Sequence, residues 1–381
     1  MNRKVVVVEA LRTPLGKRKG CLSTVRPDEL LTLVLKGLVA KSNIDPGIIE
    51  DIIVGCVSQT GEQGNNIARI SALLAGIPAE VPAMTLNRKC GSSQQSIHNG
   101  AQAILAGDMD VVVAAGVESM SRVPIGADRS PDSDKLLQQC NVFHQGIAGE
   151  LVAEKWGIPR LEMDEFSLRS HLLANEAREK GCFEQEIIPV TLPDGTVVIR
   201  DEGIRTDTSL EKLASLKPAF KEGGGVTAGN SSQITDGASA VLLMSSEKAG
   251  ELGLKPLASI KARVVVGSDQ TLMLTGPIDA TRKALSKAGL SINDIDVFEI
   301  NEAFASVVLA WKRELRPDME RVNPRGGSIA LGHPTGASGA RVATTLIYEM
   351  VQNGWKYGLQ TMCINHGMAT ATIYENINER A

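Results

Sequence analysis

The chain is 381 residues long, 43% hydrophobic and 22% charged, with 40 Lys and Arg against 44 Asp and Glu for a formal net charge of −4. A chain of that length buries a large core in more than one packed unit, and its mild negative balance argues against a general nucleic-acid or membrane-surface partner. No apolar run approaches the ~18 residues a membrane span needs, and six scattered cysteines without a C-x-x-C pair suit a reducing compartment and offer no zinc site.

The stretch Met1–Pro14 has no long apolar segment and no small-residue cleavage site. It reads as a first strand, Val5–Ala10, so a cytoplasmic location is expected. The basic turn GKRKG at 16–20 reads more readily as a solvated loop than as a phosphate contact. An amphipathic helix over 28–40, a strand over 50–57 and a helix over 65–76 follow. Then VPAMTL (81–86) reads as a short strand, and a helical pattern runs on from Ser93 to a stop at Gly107. Between them NRKCGSS (87–93) puts Cys90 where a strand turns into a helix N-terminus. Unpaired N–H groups and the positive helix pole there favour a thiolate over a thiol. The other reading of Cys90 is a small buried hydrophobe. The strand over 110–116 is apolar on both faces, so helices should cover both sides of its sheet.

From about 122 to 235 the character changes to polar, turn-rich sequence with helices near 146–156 and 164–180 and a hairpin around Asp194-Gly195. This segment reads as an excursion inserted into the first sheet, which resumes at Ala238–Met244, and such loops commonly hold substrate. The second half repeats the order of the first. A strand over 257–266, a helix over 277–290 and a strand over 294–300 lead to a turn-rich segment that feeds a helix. A final strand follows over 359–365. Two similar halves of about 120 residues suggest a duplication with a site where they meet.

Three residues at turns, drawn from both halves, can carry chemistry. His333 lies in GGSIALGHPTGASG, where Gly332 and Pro334 fix the backbone, although a lone histidine is commonly structural. Cys363 ends an apolar strand, and core packing is its plainer reading. Asn301 and Glu302 follow an apolar strand, at the carboxyl edge that α/β sites favour. There is no G-x-G-x-x-G after a strand, no G-x-x-x-x-G-K-[ST] and no G-x-S-x-G. His98, His144 and His171 have no metal-ligand spacing.

Taken in order, NRKCGSS, GVESMSR, VTAGNSSQITDGA, NEAFA, GGSIALGHPTGASGAR and the terminal cysteine strand resemble the thiolase family over essentially the whole chain. The resemblance implies an α/β fold of five layers, αβαβα, made of two similar halves. The N-terminal half would span 1–250, with a loop domain inserted at about 120–237, and the C-terminal half 256–381. It implies an acyltransferase that interconverts 3-oxoacyl-CoA plus CoA with acetyl-CoA plus acyl-CoA, with no cofactor beyond these thioester substrates and no metal. By the family pattern Cys90 is the acylated nucleophile. His333 takes its proton and donates to the thioester oxygen, and Asn301 holds a water that completes that first oxyanion hole. Cys363 is the second acid/base, and the backbone N–H groups of Cys90 and Asn365 form the second oxyanion hole. By position, His144, Arg205 and Ser232 match residues near the pantetheine or nucleotide, and Phe220 and Met273 match apolar groups of the tunnel. A homodimer is expected, with a tetramer as the alternative.

The sequence departs from the family pattern in three places. Cys363-Ile364-Asn365-His366-Gly367 stands where a C-x-G-G-G run is usual. Asn365 keeps an N–H and tolerates positive φ. His366 is either an extra imidazole in the pocket or a loop residue. Leu272-Met273-Leu274 replaces a Val-Met-Gly, adding bulk near the acyl end, and the excursion after Arg122 is shorter than in tetrameric members. An irreversible condensing relative and an inactive CoA- or lipid-binding paralogue are the competing functions.

Overall fold

The computed structural model describes residues 3–378, so Met1 and Asn2 of the first stretch and Glu379–Ala381 of the C-terminal half lie outside it. Strand β1, Val5–Arg12, is buried at all eight positions, as its run of β-branched residues requires of a central strand. After the two-residue strand β2 (Gly16–Lys17), helix α1 (Pro27–Ser42) opens with Pro27 at its first turn and Asp28 and Glu29 beside the positive pole. It closes on Asn43 in the left-handed region. Strand β3 (Asp51–Gly55), helix α2 (Ile67–Leu74), strand β4 (Ala83–Leu86), helix α3 (Ser92–Ala106) and the fully buried β5 (Val111–Ser119) follow the sequence pattern, with Gly107 capping α3.

The excursion carries helices α4 (Asp134–Gln139), α5 (Gln145–Lys155) and α6 (Arg160–Glu179), then a hairpin of β6 (Val190–Thr191) and β7 (Val197–Val198), then α7 (Leu210–Ala214). The chain returns through β8 (Thr235–Ser245) and α8 (Ser246–Glu251). The second half consists of β9 (Ala258–Gly267), α9 (Gly276–Ala288), β10 (Val297–Ile300), α10 (Ala305–Leu315), α11 (Ser338–Asn353), β11 (Tyr357–Ile364) and β12 (Met368–Glu375).

All strands except the β6–β7 hairpin form one continuous sheet in the order β10-β11-β12-β9-β1-β8-β5-β3-β4, with β2 paired to β8 off this path. The join is short: only Val6 and Val7 of β1 pair with Ser259 and Ala258 of β9. On each side of it the same pattern recurs. β8 runs antiparallel between β5 and β1, and β12 runs antiparallel between β11 and β9. Helices α3 and α11 pack between the two strand sets, α1 and α2 cover the outside of the first, and α9 with α10 cover the second, giving five layers. Residue Gly339 of α11 admits this contact, since a Cβ there would lie 2.2 Å from the Gln94 nitrogen of α3.

Two elements depart from the sequence reading. Strand β12, MATATIYE, follows the strand taken as final; its small and threonine-rich character hides a strand that is buried along its centre. Helix α10 follows the NEAFA turn, where the sequence reading places no helix, and its buried face from Ala305 to Trp311 is central to the second half's core. Among the described residues no helix is long and apolar enough to cross a membrane.

Two buried charged groups fasten the parts. The Arg12 guanidinium, fully buried, bonds Glu186 at 2.5 Å and Asp201 at 2.7 Å, tying the excursion to the first strand. The Glu118 carboxylate at the end of β5 accepts from the N–H groups of Val57 and Ser58 and the Gln63 amide on one side. On the other it accepts from the Thr335 hydroxyl and the Gly336 N–H. It therefore holds the loop after His333 against the first half.

Candidate active site

The residues of NRKCGSS fix a tight elbow. Lys89 sits at φ 47°, a left-handed conformation that costs a residue with a Cβ about 1–2 kcal/mol. Asn87 Oδ1 accepts from the Lys89 N–H at 2.8 Å, and Ser92 Oγ accepts from the Arg88 N–H at 2.9 Å while donating to the Lys89 carbonyl at 2.6 Å. Ser93 Oγ accepts from the Ala340 N–H at 2.9 Å and so locks the start of α3 to the start of α11. The elbow puts Cys90 two residues ahead of α3, facing a cavity of about 610 Å³.

His333 reaches the same cavity from the second half. Gly332 takes φ 115°, and a Cβ there would lie 2.3 Å from Thr235 Oγ1, so only glycine fits before this histidine. His333 Nδ1 lies 2.6 Å from Ser338 Oγ, whose hydroxyl donates to the Pro334 carbonyl at 2.8 Å. Ser338 has spent its proton there, so Nδ1 carries the imidazole proton and Nε2 is left as the base. Nε2 has no protein partner although it is buried.

Cys363 lies near the end of β11, buried, and also lines the cavity. Asn301 follows β10, next to β11 in parallel; it does not line the cavity but lies in the wall behind Cys363, where its amide favours ionisation of that thiol without a hydrogen bond to it. Asn365 opens the three-residue loop between β11 and β12. Its N–H and that of Cys90 itself lie near the Cys90 sulfur and favour its ionisation.

Burial sets the charge state. The Cys90 thiol is pushed up to about 11 because desolvation outweighs the two N–H donors and Lys89, which corrects the thiolate expected from the helix end alone. Desolvation, then the neighbouring Cys90, also raises Cys363, and burial lowers His333 to about 3. The resting site therefore holds two thiols and a neutral imidazole, and proton transfer waits for substrate.

The structure brings Cys90, His333, Cys363, Asn365, His144, Arg205, Ser232 and Phe220 around one cavity. His144 and Phe220 stack at 5.3 Å, and Phe220 meets Phe304 edge-on at 5.9 Å, so these rings make an apolar wall. His144 also caps α5, its Nδ1 accepting from the Gly146 N–H at 3.1 Å.

Two assignments need correction. Met273 is fully buried in the core at φ 55°, and its neighbour Leu274 lines the cavity instead. His366 is exposed and does not line the cavity; the pocket reading of it gives way to the loop reading. It is also His366, at φ 66°, and not Asn365 that takes the left-handed position of the loop. Lys17 and Arg18 of GKRKG are exposed, as the solvated-loop reading expects, and stand on the cavity rim with Arg129 and Arg205. The basic run is the available signal for Lys17 and Arg18, and GVESMSR contains Met120, whereas no pattern marks Arg129.

The family models described as "Thiolase, N-terminal domain" and "Thiolase, C-terminal domain" match residues 5–247 and 254–376. The chain is 48% identical to a steroid 3-ketoacyl-CoA thiolase of Mycobacterium tuberculosis, over 97% of this chain and 94% of that one. It is 46% identical to a 3-ketoacyl-CoA thiolase of Marinobacter nauticus, over 98% and 99% of the two chains. The crystal structure of the Bacillus anthracis acetyl-CoA acetyltransferase superposes with a TM-score of 0.92 at 39% identity, covering 99% of this chain and 100% of that one.

The placement of His366 gives a test. Replacing His366 with Gly is expected to leave the pH–rate profile and the range of accepted acyl groups unchanged. It should also stabilise the protein by roughly 0.5–1 kcal/mol through relief of the left-handed backbone, read by denaturant titration. A displaced acid limb or a widened acyl range would return the imidazole to the pocket.

Proposed function

This chain belongs to the thiolase family, and on that premise we propose how its residues divide the work of interconverting a 3-oxoacyl-CoA plus CoA with acetyl-CoA plus a shortened acyl-CoA. The single observation that carries the reading is the convergence of two thiols and one unpartnered imidazole nitrogen, from both halves, on one cavity.

In the cleaving direction His333 Nε2 takes the Cys90 proton as the sulfur attacks the 3-oxo carbon. The alkoxide that forms lies by the N–H groups of Cys90 and Asn365, where one well-placed donor is worth ~3 kcal/mol of barrier. The C2–C3 bond then breaks; its electron pair forms the acetyl-CoA enolate, whose thioester oxygen takes a hydrogen bond from the His333 Nε2–H and from a water held by Asn301. The Cys363 thiol delivers its proton to C2, leaving a thiolate. That thiolate takes the proton of incoming CoA, whose sulfur attacks the acyl-Cys90 carbonyl. Collapse expels the Cys90 sulfur, which recovers its proton from His333. Every proton returns, so the cycle needs no cofactor beyond the thioester substrates.

His144 and Phe220 fit the pantetheine path, and the cations Lys17, Arg18, Arg129 and Arg205 on the rim fit its phosphates. Ser232, whose N–H donates to the Ala303 carbonyl at 3.0 Å, presents its hydroxyl along the same wall. The names of the relatives lend nothing to an irreversible condensing enzyme or an inactive paralogue. Catalysis by two thiols suits a reducing compartment, for which we assign the cytoplasm. The free edge of β4, with Met84 exposed beside it, fits pairing with a second copy, and we assign a homodimer over a tetramer.

Incubation with acetyl-CoA alone should place one acetyl group on Cys90, read by peptide mass spectrometry, and Cys90→Ser should lower kcat by ~10³-fold or more while the fold survives. An acetyl group elsewhere on an active enzyme would remove Cys90 from this role. Light scattering should give twice the chain mass across concentrations; a stable tetramer would overturn the assembly.

A further inference from the structure

Asn301 is nearly fully buried behind Cys363, and its side-chain amide has two chemically opposite ends. Which end faces the thiol decides whether the amide helps or hinders Cys363. A carboxamide distinguishes its ends only through its partners, so the partners carry the argument.

Ser328 Oγ lies 2.6 Å from Asn301 Oδ1, and Arg341 Nη2 lies 3.2 Å from the same Ser328 oxygen. A guanidinium has donors and no acceptor. The Ser328 oxygen accepts from Arg341, and the one acceptor its own proton reaches is on Asn301. The Asn301 atom that receives it must then be the carbonyl oxygen. The amide nitrogen is thereby turned to the opposite side, where it makes no hydrogen bond and is near enough to the Cys363 sulfur to favour its ionisation. An amide turned the other way would set a carbonyl oxygen against the sulfur and oppose the thiolate that removes the α-proton.

The Ser328 hydroxyl is held where this requires it. The neighbouring Ile329 N–H donates to Glu302 at 3.0 Å, and the same carboxylate takes the Ser170 hydroxyl at 2.7 Å and the Asn323 amide at 2.9 Å. Asn323 in turn bonds both the N–H and the carbonyl of Ile300, one residue before Asn301. The loop bearing Ser328 and the strand end bearing Asn301 are thus one braced unit. Arg341 is buried with Nε and Nη1 lacking hydrogen-bond partners, a costly placement to which the orientation of Ser328 gives a task.

We propose that Ser328, set as a donor by Arg341, is a positioning residue that keeps the Asn301 amide nitrogen toward Cys363. The inference rests on the thiolase reading and assigns residues to it that do not themselves touch substrate.

The test reads two rates on each enzyme: acetyl transfer from acetyl-CoA to Cys90, and deuterium exchange at the acetyl methyl of acetyl-CoA in heavy water. Ser328→Ala is expected to slow exchange about 10- to 100-fold and to leave acetyl transfer within about threefold. Ser328→Cys, which keeps the volume and donates weakly, should show the same selective loss and serves if the alanine variant does not fold. Adding Ser328→Ala to Asn301→Ala should cost nothing further, because the residue through which Ser328 acts is gone. Equal slowing of both rates, unchanged exchange, or a full additional loss in the double variant would each overturn the proposal while wild-type turnover stands. A wild-type enzyme with neither exchange nor acetyl-Cys90 would instead overturn the thiolase reading, and this inference with it.

Discussion

The geometry of the site depends on the buried Glu118 carboxylate. It stands at the carboxyl end of β5 and gathers five donors, three from the first half and two from the loop that follows His333. Burial pushes its carboxyl up while the hydrogen bonds pull the other way. Five buried donors would lose their acceptor if it were absent, a cost that falls on both halves at once. Because Thr335 and Gly336 are two of those donors, the imidazole two or three residues before them is held in register with the Cys90 elbow. The short β1–β9 join alone, two paired residues, could not set that register.

Burial also explains why the site can act on thioesters without first ionising. Two thiols and an imidazole, all held neutral, avoid the penalty of an uncompensated charge away from bulk water. Charge develops only as substrate supplies an oxygen, and it develops beside donors already fixed by the fold: the backbone N–H groups of Cys90 and Asn365 and the imidazole of His333. The cost of orienting these groups was met during folding, by the strained Lys89 and by glycines where no side chain fits.

Most of this organisation is legible in the residues. The NRKCGSS run specifies its own elbow, because Asn87 and Ser92 are the residue types that bond the local backbone, and Gly332 before His333 marks a conformation closed to other residues. What stays hidden is hidden for physical reasons. The threonines of β12 sit among buried small residues, so neither alternation nor an apolar run betrays that strand. His366 attracts attention as a titratable group near a catalytic thiol, yet the turn between β11 and β12 directs it outward. The basic GKRKG run reads as solvent-facing and is exposed, but only the fold shows that Lys17 and Arg18 stand at the rim of the cavity. Ser328 lies in the GGSIALGHPTGASGAR run, yet nothing there marks its hydroxyl, since its role exists only once Arg341 of α11 is brought beside it.

The central claim is that the two thiols perform separate steps, acyl transfer at Cys90 and carbon protonation at Cys363. The measurement that tests it most directly is α-proton exchange of acetyl-CoA in Cys363→Ser, taken beside acetylation of Cys90 in the same preparation. The account predicts that the variant still accepts an acetyl group on Cys90 and no longer exchanges the methyl protons with solvent. Exchange at the wild-type rate would show that another group is the base and would contradict the division of labour.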